Sequence, residues 1–387
     1  MIGKQLPNIS SLINYRIALD ARTIAHRDAI TGIGTVTFLL ANYLDRHGIG
    51  CDLFYDQKPT LSFNNHRPVV LASRSRPVWE QILLPVALRQ RKVDLYHALW
   101  NHGLPVLRWP LKTVVTIHDL IPYDYPPEIT SLKNRLWWHY YYSAVQFAAE
   151  NSDAIISDSN HTSERIQHYF PQTTSKIVRI FPGVDSIFFE RFKLVDTSLI
   201  KKYGLSQPYF LYYGGLDPRK NISSLLYAFS KMPEAFQLAI VGKQNTYYQE
   251  LVSLVSSLSL KKRVHFTGYA KLEDLPQLIY SATGIVYPST AEGFGYPVAE
   301  SMAVGTPIIT TPLPSIQEIT GQEAYYFKPR DIDGLTKHML SVANLSTGER
   351  ANKSQRLRRL AQKFTAEAMV EEILRLYLNL LVKATKS

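Results

Sequence analysis

Short apolar runs rich in Val, Ile, Tyr and Phe recur along the chain, each followed by a helix-length segment. This alternation constrains the fold more than any other feature. The runs fall at 16–20, 52–55, 68–71, 94–98, 113–118, 154–157 and 177–181 in the first half. In the second half they fall at 209–213, 237–241, 263–266, 284–287, 307–310 and 324–327. Within Thr113-Val114-Val115-Thr116-Ile117 the polarity does not alternate, the pattern of a strand covered on both faces in a parallel sheet. Strand then helix, repeated, predicts an α/β doubly wound architecture. A chain of 387 residues accommodates two such domains. The stretch 188–206 lacks a strand pattern, which predicts one domain at 1–190 and a second at 191–365. In the remaining 366–387, Met369, Val370, Ile373, Leu376, Tyr377, Leu380 and Leu381 share one helical face, so that helix packs on another element. Ligands of open doubly wound sheets bind beyond the carboxyl ends of the strands. The chemistry is therefore expected in the loops just after the runs.

Composition closes several classes. Hydrophobic residues at 45% and charged residues at 19% suffice for a buried core and exclude disorder as the main state. The net charge of +11 points to an anionic partner. It is spread, with 21 basic against 16 acidic residues through position 195 and a similar excess after it. No nucleic-acid-binding motif accompanies it, so a nucleic-acid partner is not expected. The clusters Arg89, Arg91, Lys92 and Arg356, Arg358, Arg359 read equally as solvated helix faces or as anion-attracting surface. Cys51 stands alone, which excludes an internal disulfide and a Cys-rich zinc site. The first fifteen residues lack a secretory pattern, and no run of about 18 apolar residues occurs. The expectation is a cytoplasmic protein, with peripheral contact at the inner face of a membrane left open.

Four loops carry candidate chemistry. Run 16–20 is followed by Thr31-Gly32-Ile33-Gly34 and a helical pattern. Glycines entering a helix bring backbone N–H groups and the helix dipole to an anion, although a plain helix-start turn fits the same residues. Run 113–118 delivers His118 and Asp119 to a strand end, either as a titratable pair or as an interior His beside a capping Asp. Run 209–213 leads into Gly214-Gly215-Leu216-Asp217-Pro218-Arg219-Lys220-Asn221. Two glycines for a tight turn, two cations at a helix start and Asn221 as N-cap form a diphosphate cradle, although a solvated cationic turn fits the same residues. Run 284–287 leads into Glu292-Gly293-Phe294-Gly295-Tyr296-Pro297-Val298-Ala299-Glu300, two carboxylates flanking a turn that Pro297 carries into a helix. One carboxylate suits sugar hydroxyls and the other a ribose. Asp331-Ile332-Asp333 has the spacing of a metal-binding DxD, and is read as helix-capping.

Taken in order, these strings resemble the retaining GT-B glycosyltransferases of glycosyltransferase family 4, with a likeness to mannosyltransferase-like and rhamnosyltransferase-like enzymes of bacterial surface-polysaccharide assembly. The match runs from about residue 16 to about residue 375. The resemblance implies two Rossmann-like domains facing across a cleft, with 366–387 crossing back to the first. It implies that Gly32 and Gly34 contact the donor's phosphate or sugar, and that Arg219 and Lys220, on the Gly215 loop, neutralise the leaving diphosphate. His118 would sit by the donor sugar. Glu292, with the Phe294 and Gly295 backbone, would hold the sugar hydroxyls, and Glu300 the ribose. The family needs no metal and no cofactor beyond a nucleoside-diphosphate sugar as co-substrate; its acceptor is a saccharide or a lipid-linked saccharide. Two positions depart from the family pattern: Thr35 stands where Arg is frequent, and Ala366 where an aromatic follows Phe-Thr.

The resemblance also implies retention by same-face attack, with the departing phosphate as base, rather than a carboxylate nucleophile and double displacement. A nucleotide-sugar 2-epimerase of the same architecture is the alternative enzyme. The segment Leu136-Trp137-Trp138-His139-Tyr140-Tyr141-Tyr142 is aromatic all round a helix, so part of it is core and part is available to line an acceptor groove or a membrane interface.

Overall fold

The computed structural model describes residues 9–26, 32–106, 110–192 and 194–384. Thr31 of the first glycine loop lies outside the described residues. The chain divides into two compact units, Met1–Gly183 with Ala366–Ser387, and Val184–Thr365.

In the first unit seven strands form one parallel sheet: β1 (Ile17–Asp20), β2 (Cys51–Tyr55), β3 (Arg67–Val70), β4 (Leu95–Ala98), β5 (Lys112–Ile117), β6 (Ala154–Ser157) and β7 (Ile177–Arg179). Their order is β3-β2-β1-β4-β5-β6-β7, so the sheet reverses direction between β1 and β4. Every residue of β1, β2, β4 and β6 is buried, which explains their unbroken apolar runs. Only β3, at one edge, is mostly exposed. Trp79, Leu84, Leu88, Tyr96, Val115, Ile117, Val145 and Ile155 are among the side chains of its core.

The helix Ala366–Ala384 belongs to this unit. Its apolar face is anchored by Tyr377, whose hydroxyl lies 2.6 Å from His97 Nδ1 under the sheet. Burial pushes the His97 imidazole down to about 3, so it stays neutral and accepts or donates only within this contact and one to Thr116. Gly183 is the small residue this junction demands: a Cβ on it would lie 2.8 Å from the Ala366 Cα.

The second unit holds β8 (Tyr209–Tyr213), β9 (Gln237–Val241), β10 (Val264–Gly268), β11 (Gly284–Tyr287), β12 (Ile308–Thr310) and β13 (Tyr325–Tyr326) in the order β10-β9-β8-β11-β12-β13, all parallel. Its direction reverses between β8 and β11. The two ends of this unit meet: Val184 N–H donates to the Phe364 carbonyl at 2.7 Å. Among the described residues, no helix is long and apolar enough to cross a membrane.

Candidate active site

The switch point of the second unit lies between β8 and β11, and the loops leaving these two strands carry the Arg219–Lys220 and Glu292 strings. The β8 loop begins at Gly214, whose φ of +138° an L side chain rarely adopts. The turn Pro218–Lys220 then presents both cations ahead of the helix Ile222–Ser230. Asn221 occupies the N-cap position of that helix, but its side chain does not cap it. It lies in the left-handed region, its amide donates to the Pro288 carbonyl at 3.3 Å, and its carbonyl oxygen accepts from the Ser224 hydroxyl at 2.7 Å. The expected cap is thus a tie between the two loops.

That tie brings the charged groups together. Glu292 Oε1 accepts from Lys220 Nζ at 2.5 Å, from the Tyr287 hydroxyl at 2.8 Å and from the Ser289 hydroxyl at 2.5 Å. Arg219 Nη1 lies 3.6 Å from Glu292 Oε2 and donates to the Ala291 carbonyl at 2.6 Å. Burial pushes the Glu292 carboxyl up, yet Lys220 and Arg219 outweigh it and hold the group below the usual carboxylate range. The two cations differ in access. The Lys220 side chain is 10% exposed and that of Arg219 is 34% exposed, so Arg219 reaches solvent while Lys220 is sealed against Glu292. Tyr287 and Ser289 are partners the motif reading missed; Tyr287 ends the β11 run and Ser289 lies between that run and the Glu292 string.

The second carboxylate follows one turn into the helix Tyr296–Val304, with Pro297 in its first turn as the sequence requires. Gly295 is its N-cap at φ +98°, and a Cβ there would fall 2.3 Å from Ile316 Cδ1. Phe294 turns its ring into the core against Phe364. Burial raises the Glu300 carboxyl to about 8, a hydrogen bond with Tyr213 opposes this, and Asp185 adds to it. Gly215 turns its carbonyl to the Tyr212 hydroxyl at 2.5 Å. Asp331 caps the helix Ile332–Ala343 by accepting from the Gly334 N–H at 2.9 Å, as the sequence suggested.

In the first unit His118 lies just past β5 and is 5% exposed. Its Nδ1 lies 2.8 Å from Asp158 Oδ2 and its Nε2 3.4 Å from the Leu99 carbonyl. Burial favours the neutral imidazole, but the Asp158 carboxylate prevails and holds His118 above its ordinary value. Asp119 accepts from the Ile121 N–H at 3.1 Å, so the capping half of the bland reading holds. Asp158 was missed, although it follows the apolar run of β6 just as His118 follows β5. Gly32 is the exposed N-cap of the helix Ile33–Arg46 at φ +51°, and Gly34 is buried in its first turn. Of the aromatic segment, Tyr141 joins the core with Trp138 packed on it, while the Tyr140 hydroxyl donates to Glu80 at 2.5 Å.

Residues 30–187 match the family described as Glycosyltransferase Family 4, and residues 197–364 match Glycosyl transferases group 1. The chain is 29% identical over 259 residues to O-antigen chain mannosyltransferase B of Escherichia coli, covering 66% of each chain. It is 27% identical over 231 residues to O-antigen chain mannosyltransferase RfbU of Salmonella typhimurium, covering 60% of each. It therefore aligns with less than two thirds of either relative. Its fold is that of Anabaena HepE, solved with UDP and glucose, at TM-score 0.73 and 17% identity over 95% of this chain and 100% of that one. Two parallel-sheet units of this order, each matched along most of its length, place the chain in glycosyltransferase family 4, with the GT-B fold.

Proposed function

We propose that the protein is a retaining glycosyltransferase that moves a hexose, of mannose, glucose or rhamnose type, from a nucleoside-diphosphate sugar to a hydroxyl of a saccharide or lipid-linked saccharide. The observation that carries this reading is the meeting of Arg219 and Lys220 with Glu292 at the switch point of the second unit. A leaving diphosphate concentrates negative charge, and two cations fixed beside a helix start are preorganised for it. Arg219, already reaching solvent, meets the diphosphate first; Lys220 is then shared between Glu292 and phosphate. Glu292 and the Phe294 and Gly295 backbone receive the sugar hydroxyls, and Glu300 the ribose. At His118 the 3.4 Å contact to Leu99 is long for a hydrogen bond and is the one a sugar hydroxyl replaces. Gly32 and Gly34 serve the donor from the first unit.

The names of the O-antigen relatives support mannose as the sugar and surface polysaccharide as the product. The complex of HepE with UDP and glucose supports a nucleotide-sugar donor. In this reading the acceptor hydroxyl attacks on the face the diphosphate leaves, the new C–O bond forms as the old one breaks, and the proton passes to the departing phosphate. The test is a screen of GDP-mannose, UDP-glucose and related donors, with and without saccharide acceptors, reading released nucleoside diphosphate and the anomeric configuration of the product. Acceptor-dependent release with a product that keeps the donor's anomeric configuration supports the reading. An inverted product removes the retaining mechanism, and isomerised donor without acceptor makes the protein an epimerase.

A further inference from the structure

The first unit has its own switch point, between β1 and β4. The β1 loop brings Asp20 and Arg22 there, and the β4 loop brings Trp100 and His102. Arg22 is saturated: it grips Asp20 through Nε–Oδ1 at 2.9 Å and Nη2–Oδ2 at 2.6 Å, and reaches Glu80 Oε1 at 2.9 Å. Glu80 is saturated in turn by His102 Nδ1 and the Tyr140 hydroxyl. Beside this closed network sits Arg76. Its guanidinium carbon lies 4.3 Å from the ring centre of Trp100 and 5.2 Å from that of Trp137. Stacking of this kind leaves only the in-plane N–H groups for hydrogen bonding. One of them lies 3.5 Å from His102 Nε2, and the Nδ1 of the same ring lies 3.2 Å from Glu80 Oε2. Among the described residues no carboxylate lies within ion-pair distance of Arg76, although its side chain is half-buried.

Burial and the neighbouring Arg22 disfavour the Arg76 cation, and Glu80, Asp20 and Asp56 offset this only in part; a guanidinium so placed, with no direct ion pair, is stabilised by an anion that completes it. Planar paired donors select carboxylate or phosphate. The other neighbour of β1, strand β2, delivers Asp56 to the same sheet edge, close enough for Arg76 to feel its charge. Asp56 Oδ1 is buried and accepts no hydrogen bond. Among the described residues the site thus offers no ion-pair partner at one group and no hydroxyl donor at the other, and a sugar bearing an acidic group supplies both.

We infer that the β1/β4 switch point is a binding subsite for a negatively charged saccharide, its phosphate or carboxylate taken by Arg76 between Trp100 and Trp137 and a hydroxyl taken by Asp56. That the bound sugar is the acceptor rests on the transferase reading above. The test is calorimetric titration of the full chain with mannose 6-phosphate, glucuronate, methyl α-mannoside and inorganic phosphate. Wild type binds at least one of the two acidic sugars, which tells phosphate from carboxylate, and binds the neutral mannoside at least 10-fold more weakly. Arg76→Gln weakens the acidic sugar about 10- to 100-fold, and Arg76→Lys recovers part of the loss. Lys220→Ala leaves the binding in place. The inference is overturned if neither acidic sugar binds, if Arg76→Gln binds as wild type does, or if Lys220→Ala abolishes binding and so puts the probe in the second unit. Should Arg76→Gln fail to fold, Asp56→Asn decides: it weakens the acidic sugar but not inorganic phosphate, and equal behaviour of the two probes counts against the subsite. Donor turnover by wild type is read alongside. Sugar binding without donor turnover overturns the transferase reading alone; donor turnover without sugar binding overturns this inference alone.

Discussion

Lys220 combines burial with charge, and its substitution therefore has two separable effects. Removing one member of a buried pair leaves the other charge uncompensated, at a cost of about 3–5 kcal/mol. Lys220→Ala should lower the unfolding midpoint in urea as well as cut kcat by about 10²- to 10³-fold. The remaining protein should take up a proton on Glu292 at higher pH than wild type, visible as an acid-side shift in the rate profile. Near-normal turnover in the folded variant would remove Lys220 from the diphosphate. Glu300 gives a second expectation, with the opposite sign from ordinary carboxylates. Its carboxyl titrates near 8 in the fold and near 4.3 in the unfolded chain. The native state binds the extra proton between these values, so stability contributed by this group is present at low pH and is lost as pH rises towards 8. Glu300→Gln should flatten the stability curve over that window in denaturation at successive pH values; an unchanged slope would show that Glu300 ionises normally. At this scale the sequence marked candidate residues but not whom they meet. Lys220 and Glu292 are 72 positions apart and His118 and Asp158 are 40 apart, distances along the chain that only the sheet order closes. Asn221 misled because its residue type favours capping, while its side chain is drawn away to the β11 loop.

The strands were legible because parallel strands buried on both faces need uninterrupted apolar residues, and Tyr209–Tyr213 and Ala154–Ser157 fall where the runs do. The edge strands β3 and β13 were also read from apolar runs, at 68–71 and 324–327, although β3 is mostly exposed and β13 only partly buried. The irregular, wide-turned helix Trp79–Leu83 had no sequence signal, yet it aims Glu80 at Arg22 and His102. Glycine positions behave differently according to what surrounds them. Gly295→Ala meets both a φ of +98° and Ile316 at 2.3 Å. It should cost about 2 kcal/mol or more and displace the start of the Glu300 helix. Gly32→Ala has an unfavourable φ of +51° but nothing within 4 Å, so its cost should stay near 1 kcal/mol. Urea denaturation of the two variants checks the order; equal losses would show that Ile316 moves aside freely.

Over the whole chain, the second unit is an insertion into the first, entered at Val184 and left at Thr365, with its ends paired. A segment with adjoining ends and its own core is suited to folding alone. Residues 184–365 expressed by themselves should unfold cooperatively and bind GDP or UDP, because Arg219, Lys220, Glu292 and Glu300 all lie within them. Loss of nucleotide binding on isolating this segment, with its fold intact, would mean that the first unit supplies decisive donor contacts. The net charge of +11 is likewise shared between units.

The bond between His97 and Tyr377 joins residues 280 positions apart, and this separation orders events at the ribosome. The inserted unit is synthesised in full before Tyr377 emerges. The first unit must wait with the His97 face of its sheet uncovered while its neighbour in sequence folds. Translation speed through 184–365 therefore sets how long that apolar face stays open to chaperones or to aggregation.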